Sequence, residues 1–191
     1  MKRLSFSLGI AALLAIAPLS LDLPALANSP ARNNVLAQLL PQRQEQMKLE
    51  LSAAKKLVET NEDGTTEIVW QELSGQTNVV QPGDVLRYSL VGANPSQRPV
   101  ANLVVTQPIP ERTVYVLNSA AIETGEEASI TYSIDGGETF IANPTIEVEL
   151  EDGTTEERPA PADIYTHVRW EFDDAIRAET DMNVTYQVAV R

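Results

Sequence analysis

The sequence predicts an all-β chain, a two-sheet antiparallel β-sandwich behind an exported N-terminus. Three observations predict it. Apolar side chains recur at every second position in eight to ten short runs, the period of a half-buried strand. Turn residues separate those runs at near-regular spacing, and no stretch of the sandwich reads as a long helix. Alternation leaves each sheet one wet face, which favours antiparallel strands over a parallel sheet buried on both sides.

The N-terminus comes first. Lys2 and Arg3 are positive, residues 8–19 form an apolar core, and Ala25-Leu26-Ala27 is a small-x-small cleavage signal carried by Ala25 and Ala27. Residues 1–27 therefore read as a signal peptide. Pro18, Asp22 and Pro24 break up a run already shorter than the roughly 20 residues of a spanning helix, so no membrane span is expected after cleavage. The chain has no cysteine. That removes lipid attachment at the cleavage site, disulfides and zinc thiolates, and an exported chain without disulfides fits a bacterial product best.

Cleavage after Ala27 leaves 164 residues. Loss of Lys2, Arg3 and Asp22 leaves 12 basic and 26 acidic side chains, a net charge of −14. That sign opposes nucleic acid, whose phosphates require a basic patch, and anionic lipid headgroups. One domain is expected at this length. Residues 28–46 hold Pro30, Pro41 and a Gln/Arg-rich end around Val35, Leu36, Leu39 and Leu40. They read as a flexible tether, and the alternative, a partner-binding amphipathic helix, is too short to stand alone.

The sandwich occupies residues 47–191. Leu49 and Leu51 alternate with Lys48 and Glu50 in a run that reaches Thr60, Asp63-Gly64 is a hairpin signal, and a strand follows over 66–73. The stretch 81–110 sets the pattern for the rest. Pro82-Gly83-Asp84 is turn chemistry; Leu86, Tyr88 and Leu90 share one strand face; Asn94-Pro95-Ser96 turns the chain; and Ala101, Leu103 and Val105 share a face of the partner strand. Pro108 and Pro110 end that ladder, because neither donates an N–H. Further strands are expected over 113–119, around Ile130, Tyr132 and Ile134, and over 146–150. Ile164, Thr166, Val168, Trp170 and Phe172 form another face, with Trp170 between the sheets, and Val184, Tyr186, Val188 and Val190 form the last. Residues 173–181 read as a helical turn or a long loop. Glu-Asp-Gly-Thr-Thr-Glu occurs at 62–67 and again at 151–156, the reuse of one hairpin turn within unlike flanks.

Residues 81–191 also carry a resemblance. Pro-Gly-Asp, an alternating strand, an Asn turn, a second strand, Thr106-x-Pro108-Ile109-Pro110, Thr113-Val114-Tyr115-Val116 and the Trp170 strand resemble the bacterial "conserved repeat domain", an uncharacterised family of immunoglobulin-like surface modules. The resemblance implies an immunoglobulin-like sandwich, an envelope or extracellular location and a structural role, with no chemistry to carry over. Gln107 stands where the family often has an acid, and Gly92-Ala93-Asn94-Pro95-Ser96 stands where Asn-x-Gly is expected. Both departures set aside any metal or cross-link belonging to the usual pattern.

Few motifs point to chemistry. Ser133, Asp135, Gly137, Thr139 and Phe140 match the Asp-box, Ser-x-Asp-x-Gly-x-Thr-aromatic, a hairpin of sialidase-like propellers. Propellers need several blades, so a single copy reads as a structural hairpin held by its own Ser and Asp. Acidic loops could offer calcium its six to eight oxygens, with Asp63 and Asp152 as the first candidates, although none has the Asp-x-Asp-x-Asp-Gly spacing. His167 is the only histidine and reads as an exposed cross-strand side chain without a neighbouring nucleophile. No catalytic residue and no cofactor are expected. The expected function is an exported structural or interaction module with an envelope or surface protein partner. A carbohydrate- or calcium-binding module is the alternative, for which only Tyr165 points clearly outward among the aromatics, and a hydrolase comes last. The closing strand, 183–191, is the expected open edge for strand addition, with proline at Gln187 as the test.

Overall fold

The computed structural model describes residues 47–74 and 79–191. The cleavage residues Ala25 and Ala27 and the whole tether lie outside them. The chain forms β1 (Lys48–Thr60), β2 (Thr66–Glu72), β3 (Val85–Ala93), β4 (Val104–Pro108), β5 (Thr113–Tyr115), β6 (Ala121–Ile122), β7 (Ala128–Ser133), β8 (Thr145–Glu149), β9 (Thr155–Pro159), a 3-10 turn at Ala162–Ile164, β10 (His167–Phe172) and β11 (Asp181–Val190). The described residues are all-β, every pairing is antiparallel, and no α-helix occurs among them. No helix among them is long and apolar enough to cross a membrane.

A six-stranded sheet runs β2-β1-β3-β11-β5, with β6 also on β11; a three-stranded sheet runs β4-β10-β7; and β8-β9 is a separate hairpin. The two larger sheets share one core. Leu86, Tyr88 and Leu90 of β3 and Val184, Tyr186 and Val188 of β11 are buried from one side, and Val105, Val168, Trp170 and Phe172 from the other. Tyr88 stacks on Tyr186 at 5.3 Å, and Tyr186 meets the Trp170 ring at 6.1 Å. Period-two burial thus does what the alternation predicts, and Trp170, with no exposed surface, sits in the shared core.

Several expectations need correction. β3 and β4 do not pair, because they belong to different sheets, and the loop between them carries the chain from one sheet to the other. Asn94 drives that crossing: its buried amide donates to the carbonyls of Arg98 (2.8 Å), Ile176 (3.2 Å) and Arg177 (2.9 Å), tying the loop to the β10–β11 connection. Asn102 then takes a positive φ of 54°, so the strand begins at Val104 and Ala101 is left exposed. The strand expected over 113–119 stops at Tyr115, and Ile164 and Thr166 precede β10 rather than extend it. Residues 173–180 form a loop whose Ile176 is fully buried and bridges Val100.

The largest correction concerns β11. It is interior to its sheet, with β3 on one side and β5 and β6 on the other. The Gln187 N–H already donates to the Ser119 hydroxyl at 3.0 Å, and its carbonyl accepts from the Val116 N–H. Proline there would break the sheet rather than test an edge.

Candidate functional site

The Asp-box segment is a fully hydrogen-bonded hairpin. The Ser133 hydroxyl donates to Asp135 Oδ1 at 2.6 Å and accepts from the Gly137 N–H at 2.8 Å. The Asp135 carboxylate also accepts from the Glu138 N–H, the Thr139 N–H and the Thr139 hydroxyl. Hydrogen bonds from Ser133 and then Thr139 hold its carboxyl well below the usual carboxylate range. A carboxylate with this many local donors is a turn brace, not a free base.

Beneath the turn lies His167. Gly137 has a φ of +94°, and a side-chain carbon there would stand 3.2 Å from the His167 ring, so this position needs glycine twice over. His167 Nδ1 is 3.1 Å from the Thr166 hydroxyl, and its ring lies edge-on to Phe140. Phe140 is capped in turn by the Arg169 guanidinium, 3.4 Å from the ring centre. The histidine is half-buried rather than exposed, and burial, then Arg169, depresses its pKa. The structure gathers Ser133, Asp135, Gly137, Thr139, Phe140 and His167 into one packed unit.

Asp63 and Asp152 stand in identical turns. Each accepts, through Oδ1, the N–H and hydroxyl of the threonine two residues on, Thr65 at 2.9 and 2.6 Å and Thr154 at 3.0 and 2.6 Å. Those bonds lower both carboxyl pKa values. The two turns cap different hairpins, β1–β2 and β8–β9. Among the described residues, no three acidic or histidine side chains converge as a metal cluster.

Two features were missed in the sequence. Tyr115, Tyr132 and Tyr165, from three segments, pack ring on ring with centroids 5.3 to 5.5 Å apart. Tyr165 therefore stacks against Tyr115 instead of standing outward. They line a pocket of about 250 Å³ together with Asn118, Asn143 and Pro144. The Ala120 N–H donates to the Tyr115 hydroxyl at 3.1 Å, and the Tyr115 and Tyr132 hydroxyls are 3.3 Å apart. Burial, then the Tyr115 hydroxyl, pushes the Tyr132 pKa up. Their sequence separation hid this cluster, since period two reports a face and not what meets it.

The second missed feature is a ribbon. Among the described residues, β1 pairs from Lys56 to Thr60 with β2 alone, so the β1–β2 hairpin leaves the sheet as two strands. Val58 and Ile68, cross-strand partners on it, are 65% and 56% exposed. Trp70, the partner of Lys56, lies under the Arg87 guanidinium at 4.4 Å. On the opposite face Leu57 pairs with Val69. The signal was available: Leu57-Val58 and Ile68-Val69-Trp70 are consecutive apolar residues where a half-buried strand alternates. No family model, no curated protein and no solved structure matches this chain.

Proposed function

We propose that the chain is an exported, non-catalytic interaction module of the bacterial cell envelope, an immunoglobulin-like sandwich of the kind that residues 81–191 resemble. The observation that carries this reading is the β1–β2 ribbon, which presents Val58 and Ile68 to solvent beside a strand edge that is open among the described residues. Exposed apolar side chains along an unpaired ladder favour docking. Export rests on the N-terminal pattern of Lys2, Arg3, the apolar core and Ala25-Leu26-Ala27. The sandwich rests on two antiparallel sheets closing over one core, with the chain changing sheets between β3 and β4. The sole histidine is engaged by Thr166 and packed under the hairpin, which suits a structural role.

The test is the native mass of the protein in a gently extracted envelope fraction, set beside the same chain purified alone. A particle larger than the purified species is expected. An identical monomer in both fractions would remove the reading.

The tyrosine pocket favours a second reading, the binding of a neutral saccharide ring. Apolar ring faces beside the amides of Asn118 and Asn143 are what such a ring needs, and the net charge of −13 disfavours acidic glycans. A glycan array checks it: binding that Tyr165→Ala abolishes is expected, and no signal on any neutral glycan sinks it.

A further inference from the structure

We infer that β2 pairs edge to edge with β2 of a second copy of this chain, antiparallel, in the register that places Val69 opposite its own counterpart. The inference rests on the ribbon's being a docking element and names what docks there.

The backbone sets the first constraint. Leu73 N–H donates to Ala53 O at one end of the hairpin, and Asn61 N–H to Thr65 O at the other. Along an antiparallel ladder such bonded pairs alternate with non-bonded ones, so the odd residues of β2 bond to β1. Thr66, Ile68, Trp70 and Glu72 direct their N–H and C=O groups outward. Neither lysine nor proline, the usual guards of an edge, occurs in Thr66–Glu72. A twofold axis at Val69 sets Thr66 opposite Glu72 and Ile68 opposite Trp70, so every outward residue finds an outward partner over the whole strand.

The side chains supply the second constraint. On one face, Ile68 meets the second copy's Trp70 and extends the Val58–Ile68 pair into a wider apolar row. On the other, Val69 meets its own counterpart, and the Leu57 behind each completes a row apolar from end to end. Glu67 already faces Glu59, and like charges directly opposite are destabilising. In this register it meets Gln71, with Lys55 behind it. No glutamate faces a glutamate across the new seam, and the acidic turns at Glu62-Asp63 point away from one another. A two-stranded ribbon is marginal in water, whereas three or more strands with an apolar face are stable; pairing makes four.

The axis also gives a register-specific test. Val69 would face its counterpart as a non-bonded pair, with Cα atoms about 4.5 Å apart, inside the disulfide range of about 4.4–6.8 Å. The natural chain has no cysteine to interfere. The exported protein is expected to sediment as a concentration-dependent dimer, and Val69→Cys to cross-link under a mild oxidant far faster than Glu67→Cys. Ile68→Pro, which removes an outward N–H only, and Ile68→Lys, which leaves the backbone whole, should both give folded monomers by circular dichroism and thermal midpoint. The inference is overturned if the wild type stays monomeric to millimolar concentration, if both Ile68 variants dimerise as well as wild type, or if the two cysteine variants cross-link equally. A purified monomer that joins a larger particle in the envelope extract, and leaves it on Ile68→Lys, would overturn self-pairing while keeping the ribbon as a docking element. A monomer in both fractions would end both.

Discussion

At the scale of single residues, Asn94 shows how one buried amide can decide where a strand goes. Its Nδ2 serves three carbonyls, its Oδ1 accepts from the Ser96 N–H and hydroxyl, and its own N–H reaches Thr180 O. Asn94→Ala takes one donor from each of those carbonyls, which keep the Ser96 hydroxyl, the Val100 N–H and the Thr180 hydroxyl, and removes the acceptor of the Ser96 N–H, at a cost of about 1–3 kcal/mol; Asn94→Asp should cost more by aiming a carboxylate at them, and denaturant midpoints of the two variants check the order. The sequence marks Asn94 as a turn residue, but not as a buried one, because a period of two describes strands and is silent on what a loop covers. His167 allows a pH prediction at the same scale. Its folded pKa is depressed by burial, so the unfolded chain binds the proton more readily, and stability rises with pH across this window. The contribution is fully present above the unfolded value of about 6.5 and is lost as pH falls through the lower folded value. As the sole histidine, it gives one ring signal to titrate by NMR. A midpoint at or above 6.5, or an unchanged acid limb of stability in His167→Gln, would contradict the packing described for it.

At the scale of elements, the chain uses one turn twice. Glu-Asp-Gly-Thr-Thr-Glu closes β1–β2 and β8–β9 with the same bonds, Gly64 N–H to Asn61 O and Gly153 N–H to Leu150 O, and with φ of +84° and +80° at the two glycines. These hairpins were legible in the sequence because turn chemistry is local. Their strands were less so: β9 is exposed throughout, and a strand with no buried face shows no alternation to read. Each hairpin also sets glutamate against glutamate, Glu59 opposite Glu67 and Glu147 opposite Glu157. Glu147→Lys turns one repulsive pair into an attractive one and should stabilise β8–β9 by about 0.2–1 kcal/mol. Slower amide exchange at Ile146 and Val148 would report it, and the gain should shrink in high salt. No change in low salt would mean that side-chain motion already keeps the two carboxylates apart.

At the scale of the whole molecule, β11 is the spine, since β3, β5 and β6 all pair with it. Its apolar face was legible residue by residue, yet its place inside the sheet was not, because burial of Val184, Tyr186 and Val188 is the same for an edge strand as for an interior one. Which strands share a sheet depends on loop crossings such as the one Asn94 fixes, and those rest on long-range contacts. The spine divides the molecule energetically. β3 and β11 are bonded on both sides and buried against Trp170, whereas among the described residues β8 and β9 pair only with each other. Amides of β3 and β11 should therefore exchange through global unfolding, and those of β8 and β9 through local opening. Trp170→Ala, which empties the centre of the core at a cost of about 3–5 kcal/mol, separates the two classes. It should lower the protection of β3 and β11 amides by its full global cost and leave β8 and β9 nearly unchanged. Equal loss across all four strands would make the chain one cooperative unit, with the β8–β9 hairpin held by the core after all.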